Sequence, residues 1–252
     1  MNQFNQQDFT NYTVVDSRQA SATGAVSRRF MSSVFTWMFF ALGVSALFAF
    51  LFSTNLSLLQ YLISETGKGL NGLGYLVMFA PLGFVLLMSL GFQRLSSPVM
   101  TALFLAYSAI NGISFSFILL AYTAGSVIGC FATASVMFGV MAVMGYTTDK
   151  DLTSFGSLLM MGVVGIVIAM MVNMFLHSDG LGYLISIIGV AVFTGLTAYD
   201  VQKLKRIGAG IEYEGISAND TKKQALLGAL SLYLDFVNLF LMLLRLFGNR
   251  RN

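Results

Sequence analysis

Polar and apolar positions along this chain separate into blocks. A polar opening of 29 residues, rich in Asn, Gln, Ser and Thr, ends at Arg28-Arg29 and gives way to an apolar run from Phe30 to Phe52. Six more apolar runs follow, at about 75–92, 99–122, 125–146, 155–176, 181–202 and 225–247, and the short segments between them hold most of the charge. Each run has roughly the 20 residues that an α-helix needs to cross the hydrocarbon core of a bilayer. None alternates residue by residue, as a barrel strand of about ten residues would. The pattern predicts an all-α polytopic membrane protein with seven transmembrane helices. It divides the chain into a polar N-terminal tail (1–29), a transmembrane domain (30–248) and a short C-terminal tail (249–252).

Inside the runs, Pro81 is tolerable where neighbouring helices satisfy the carbonyl it frees. Gly162, Gly165, Gly189, Gly195 and Gly228 place small residues on helix faces and predict close helix packing. Asn111, Ser114 and Ser116 are polar positions within the third run. The first run is too long for the apolar core of a cleaved signal peptide.

Composition sharpens this reading. The chain is 56% hydrophobic and 10% charged, whereas a soluble domain carries about 25% charged residues. The single Cys130 excludes an intramolecular disulfide and a cysteine-based metal cluster, and the single His177 excludes a multi-histidine site. A net charge of +3 is too small to mark a nucleic-acid partner and is better read as topology. Assigning Lys and Arg alternately over seven spans puts ten of the 14 on the side of the N-terminal tail. The positive-inside rule then places the N-terminus in the cytoplasm and the C-terminus outside. The basic end, Arg245 to Arg251, pulls the other way, and a six-span chain with a re-entrant last segment is the alternative.

The candidate chemistry lies in the last quarter. Two apolar segments there carry one acid each, Asp200 and Asp235. An ionised, unpaired carboxylate in hydrocarbon costs a few kcal/mol or more, so such a residue is functional by default. At 100° per residue, Gly228, Ser231, Asp235, Asn238, Met242 and Arg245 fall in one stripe of the last span, opposite a face of Leu, Phe, Val and Tyr that packs or meets lipid. In the sixth span, Gly182, Ser186, Gly189 and Asp200 share a side. Two carboxyl groups on adjacent antiparallel helices could share one proton and titrate as a unit. Deprotonated, their oxygens would suit a hard cation such as Ca²⁺. The plainer alternative is that each acid caps a backbone or pairs with a nearby base, Asp200 with Lys203. Depth is an obstacle to pairing: at 1.5 Å per residue, Asp200 sits about 5 Å from the end of its run and Asp235 about 15 Å into its own. A sixth span that enters deeper, or a seventh that starts later, would be needed.

Other charges read as solvated. Glu212, Glu214 and Asp220 fall between the last two spans, Asp149-Lys150-Asp151 forms a loop that anchors the ends of spans four and five, and His177 sits at an interface. No nucleophile triad, zinc motif, phosphate loop or dinucleotide fingerprint is present. The Gly-Xaa-Gly-Asp signature of intramembrane aspartyl proteases is missing around both acids. The chain therefore reads as a non-enzyme that needs no cofactor.

Three segments resemble the Bax inhibitor 1 (transmembrane Bax inhibitor motif) family, its bacterial branch above all: Gly145-Tyr146-Thr147-Thr148-Asp149-Lys150-Asp151-Leu152, Gly195-Leu196-Thr197-Ala198-Tyr199-Asp200-Val201-Gln202-Lys203-Leu204-Lys205, and Ala229 to Leu241, which includes Leu234-Asp235-Phe236. The resemblance covers roughly residues 25–248. It implies six helices surrounding the C-terminal one, and a pH-dependent calcium leak whose di-aspartyl sensor matches Asp200 and Asp235. It thereby favours pairing of the two acids. It implies a basic latch at the end of the second span, where Arg94 is the positional match. It also offers a rival role seen in some bacterial relatives, regulation of a membrane-bound ATP-dependent protease, which the N-terminal tail would suit. The expectation is an inner-membrane protein that passes Ca²⁺ under proton control. Asp200 and Asp235 sense the proton and hold the ion, Arg94 is the latch, and Asn238, Ser231 and Arg245 are the supporting polar groups.

Overall fold

The computed structural model describes residues 7–64, 69–213 and 216–251; along 7–24, and at 56, 212 and 213, it describes the backbone alone. Among the described residues eight helices follow one another: α1 (Gln7–Thr54), α2 (Leu56–Gln60), α3 (Gly72–Leu90), α4 (Ser97–Ala121), α5 (Ala124–Thr147), α6 (Thr153–Leu176), α7 (Asp179–Tyr213) and α8 (Ala218–Phe247). Seven are long and apolar enough to cross a membrane, α1 through its part Ala25–Thr54 and each of α3 to α8. The protein is an integral membrane protein of all-α class. The backbone is helical from Gln7 onward, well before the first apolar run. Residues 1–6, and the side chains of 7–24 on which a protease contact would fall, lie outside the described residues, as do Lys68 and Glu214.

Local chemistry sets the helix ends. Asn71 opens α3 by accepting a hydrogen bond from the Gly74 N–H through its side chain, at 2.9 Å. Ser217 does the same for α8 with the Asp220 N–H, at 3.1 Å. Such caps satisfy amide donors that the first turn of a helix leaves without partners. α6 stops at His177, which is exposed and left-handed at φ 50°.

α8 is the axis of the bundle. It packs against α1, α3, α4, α5 and α7, while α6 joins from outside through α7. Within its apolar window 72% of α8 is buried, against 11% for α3 and for α6. Of the two readings of the apolar face opposite the sequence stripe, packing and lipid contact, the structure shows packing: Leu232, Tyr233 and Leu239 have no exposed surface.

The C-terminal tail settles whether α8 crosses fully. Thr123 N–H donates to the Asn249 carbonyl at 3.0 Å, and Arg251 N–H donates to the Ala121 carbonyl at 2.9 Å. The tail is thus pinned to the α4–α5 turn, at the end opposite the α3–α4 and α5–α6 turns. The re-entrant alternative fails.

Of the glycines expected at close contacts, Gly162 lies on Val192, Gly189 on Met242, Gly195 on Leu159 and Gly228 on Leu204. Gly165 is a correction, since a Cβ there would meet nothing within 4 Å. The closest approaches of one long helix to the backbone of another are elsewhere, where Gly112 meets the Ser45 backbone and Gly145 the Ala198 backbone.

Candidate functional site

The sequence boundaries put Asp200 and Asp235 at different depths because they ended one helix too early and began the next too late. α7 continues to Tyr213 and α8 begins at Ala218. Asp200 therefore lies thirteen residues before the end of α7, and Ser231 thirteen residues after the start of α8. Antiparallel neighbours joined by a short connection meet at equal distances from it, and Ser231 Oγ donates to Asp200 Oδ2 at 2.5 Å. Asp235 stands one turn further along α8. The two carboxyl groups are near enough to act on one another electrostatically, although no hydrogen bond joins them among the described residues. A carboxylate only accepts hydrogen bonds, so a bond between two carboxyl groups requires one proton between them.

The two acids differ in surroundings. Asp235 is 6% exposed, and its Oδ2 has no hydrogen-bond partner among the described residues. Asp200 lines a cavity of about 560 Å³, bounded by α7, α8 and the end of α3 with its following turn. Ser231 sits beside it, and Ser89, Gln93, Lys203 and Gln224 supply the other polar lining. Asp235 does not line this cavity; it lies behind Asp200. Further along α8, Leu239, Met242 and Leu243 are buried. The arrangement is a partly polar cavity with Asp200 on its wall and the buried Asp235 beside it.

The remaining expected residues are not gathered here. Arg94 is exposed in the α3–α4 turn and does not line the cavity, although its neighbours Phe92 and Gln93 do. Asn238 is half-buried and forms no hydrogen bond with Asp235 among the described residues. Arg245 lies near the far end of α8, where its guanidinium covers Gly182 of α7. Gly182 and Gly189 do line the α7 side that meets α8, against Arg245 and Met242. No ion pair joins Asp200 to Lys203 among the described residues. No group of three or more His, Cys, Asp or Glu side chains among them could hold a metal ion. Cys130 is buried against the Leu243 carbonyl.

Two polar features escaped the sequence reading. On the other side of α8, Ser45 Oγ donates to the Ser108 carbonyl at 2.7 Å and lies 2.8 Å from the Tyr233 hydroxyl. Its one proton being used, the Tyr233 hydroxyl must donate to it. That hydroxyl in turn accepts from Asn111 Nδ2 at 3.0 Å, and Asn111 also donates to the Tyr107 hydroxyl at 3.2 Å. Asn111 inside an apolar run was the signal, because a polar amide in hydrocarbon needs a partner. The second feature is Lys223, expected in a loop but buried in the second turn of α8. It pairs with Asp220 at 2.7 Å and donates to the Phe92 carbonyl at 3.2 Å, fastening α8 to the cavity wall beyond α3.

The Asp149-Lys150-Asp151 loop does anchor helices, and it does so through α7. Gln202 Nε2 donates to the Lys150 carbonyl at 2.8 Å, and Gln202 Oε1 accepts from Leu152 N–H at 2.9 Å. Arg206 pairs with Asp151 at 2.6 Å. Hydrogen bonds from the Thr153 hydroxyl, Arg206 and the Thr153 amide hold the Asp151 carboxyl well below the usual carboxylate range. A depressed pKa means that this contact is present above the ordinary carboxylate pKa and is lost only as pH falls towards the lower, folded value. Hydrogen exchange in residues 148–152, corrected for intrinsic rates, should therefore be the same at pH 8 and pH 5, and should rise at both in Arg206→Gln. A rise confined to pH 5 in the wild-type protein contradicts this.

The sequence matches the family described as "Inhibitor of apoptosis-promoting Bax1" over residues 27–252. The inner membrane protein YbhL of Escherichia coli strain K12 is 44% identical over 222 residues, which cover 88% of this chain and 92% of that protein. A protein of Borreliella burgdorferi is 41% identical over 240 residues, covering 95% of this chain and 100% of its own. One from Rickettsia prowazekii is 40% identical over 232 residues, covering 89% and 91% respectively.

Proposed function

The chain belongs to the Bax inhibitor family of membrane proteins, and from that premise we propose that it is a passive, proton-gated leak for cations, with Ca²⁺ as its main cargo. The observation that supports this most is the nearness of Asp200, on the wall of a cavity, to the buried Asp235. With one proton between them, the pair carries a single charge and tolerates close contact. Loss of that proton leaves two like charges a few ångströms apart in a poorly screened interior, where repulsion is far stronger than in water. The strain is relieved if α7 and α8 separate or if a cation enters. Carboxylate oxygens favour a hard divalent ion there. In this reading Asp200 is the mouth of the path, Ser231 orients it, and Asp235 is the gate.

The relative YbhL is named for the inner membrane, and we place this chain there too. The excess of Lys and Arg on the side of the N-terminus puts that end in the cytoplasm.

The test is calcium flux into liposomes holding the purified protein and an indicator dye. Flux should increase as pH rises through the titration of the pair. Asp235→Asn should flatten that dependence. Unchanged flux with an unchanged pH profile in the variant would sink the mechanism.

A further inference from the structure

The cavity that Asp200 lines is larger than a single ion requires. Its volume of about 560 Å³ lies within the range of roughly 300–1,000 Å³ typical of small-molecule sites. It opens between α3 and α7, which scarcely touch each other, and α8 supplies the rest of its wall. One part of the lining is apolar, formed by Phe92, Leu204, Ile207 and Leu227. Phe92 is fixed in place, because the Lys223 ammonium donates to its carbonyl at 3.2 Å and lies 4.9 Å from the centre of its ring.

The polar part of the lining is unspent. Nearby polar side chains outside the cavity are engaged by the protein itself. Lys205 donates to the Tyr146 carbonyl at 2.8 Å, Arg206 pairs with Asp151, and Gln202 bonds to the Lys150 carbonyl and the Leu152 N–H. Lys203 and Gln93, which line the cavity, form no hydrogen bond or ion pair among the described residues. Gln224 lines it too, and its Oε1 is buried with no hydrogen-bond donor among those residues. Asp200 accepts from Ser231 through Oδ2, and no cationic side chain among the described residues pairs with it. Asp200 and Lys203 are one turn apart on α7, a spacing at which opposite charges on a helix can pair directly. Here both line the cavity and no ion pair joins them. A wall that presents an anion and a cation without joining them is complementary to a molecule that carries both charges in the opposite order.

We propose that this cavity is a binding site for a small zwitterion, an amino acid with an apolar side chain. Its ammonium meets Asp200 beside Ser231, its carboxylate meets Lys203, and its side chain lies on the apolar part of the wall. Gln93 and Gln224 complete the polar lining. A simple amine would be repelled by Lys203 and a simple carboxylate by Asp200, whereas a zwitterion satisfies both. The occupant uses a carboxyl group that the proposed leak also uses. Binding is measured without ion flux, however, so either reading can fail alone.

The test is calorimetric titration of the purified full-length protein, in detergent and calcium-free buffer, with three compounds. They are L-leucine, isopentylamine, which lacks the carboxylate, and isocaproate, which lacks the ammonium. Leucine should bind saturably and about tenfold or more tightly than either analogue, the factor that follows from losing a hydrogen bond to a charged group. Lys203→Gln should weaken leucine binding by about the same factor and leave isopentylamine binding no weaker. Lys203→Glu should reverse the order, so that isopentylamine binds more tightly than leucine. Lys203 is exposed, so both variants should keep the fold. Absence of saturable binding by leucine, equal affinities for the three compounds, or a leucine affinity unchanged in Lys203→Gln would each overturn the proposal.

Discussion

Asp235→Leu should melt at a higher temperature than the wild-type protein and conduct calcium without regard to pH. Asp235 is almost completely buried, and one of its carboxyl oxygens has no donor among the described residues. A buried polar group left unsatisfied costs about 1–3 kcal/mol. Leucine removes that group, and its surroundings already include the buried Leu232 and Leu239. Asp200 keeps the hydrogen bond from Ser231 and its place in the cavity, so the substitution strands no second charge. The expected gain of about 1–3 kcal/mol corresponds to several degrees in melting temperature for a chain of this size. The readouts are a thermal melt in detergent and the liposome flux assay on the same preparation. A residue kept for function at the expense of stability gives this pairing of results. A lower melting temperature would instead mean that Asp235 holds the bundle together, and the gating role would lose its main support.

Gly145→Ala should be the most destabilising single-methyl change among the membrane glycines. The added Cβ would lie 2.8 Å from both the Cα and the carbonyl carbon of Ala198, so a backbone and not a movable side chain stands in the way. α5 and α7 must move apart, an overpacking cost of about 1–3 kcal/mol or more. The displaced stretch of α7 lies two residues from Asp200, so flux should change as well. Gly165→Ala is the internal control. Its Cβ meets open space, and replacing a mid-helix glycine by alanine favours the helix by about 1 kcal/mol. Melting temperatures should fall in the first variant and hold or rise in the second. Equal behaviour of the two would show that the α5–α7 contact tolerates separation.

The spans were legible because crossing hydrocarbon imposes a demand that one residue window can meet alone. Every backbone amide must be satisfied within the helix, over about 20 apolar residues. The boundaries of α7 and α8 were not legible, because both helices run past the apolar runs into Gln202 to Tyr213 and Ala218 to Gln224. The polar residues there are held by partners far off in the chain. Gln202 grips the α5–α6 loop, and Lys223 grips the Phe92 carbonyl. Apolar periodicity carries no trace of such contacts. The misplaced ends produced the apparent difference in depth between Asp200 and Asp235. The stripe on α8 holds Ser231, which meets Asp200, together with Asn238 and Arg245, which do not, since a helical wheel ranks direction and says nothing of distance along the axis. Arg94 matched a position, yet the turn that carries it leaves it exposed.

What the sequence determined by itself is the kind of protein and its costly residues: seven apolar helices, and two acids that hydrocarbon penalises unless something is done with them. What only the tertiary structure decided is which groups answer that cost. Ser231 meets Asp200 because two antiparallel helices share a turn and count back equally from it. Tyr233, Ser45 and Asn111 meet because α1 and α4 close over α8 on its other side. The cost of a carboxylate in hydrocarbon follows from one residue and its apolar neighbours in the chain, whereas a hydrogen bond between helices depends on how far each helix runs and how closely glycine lets its neighbour approach.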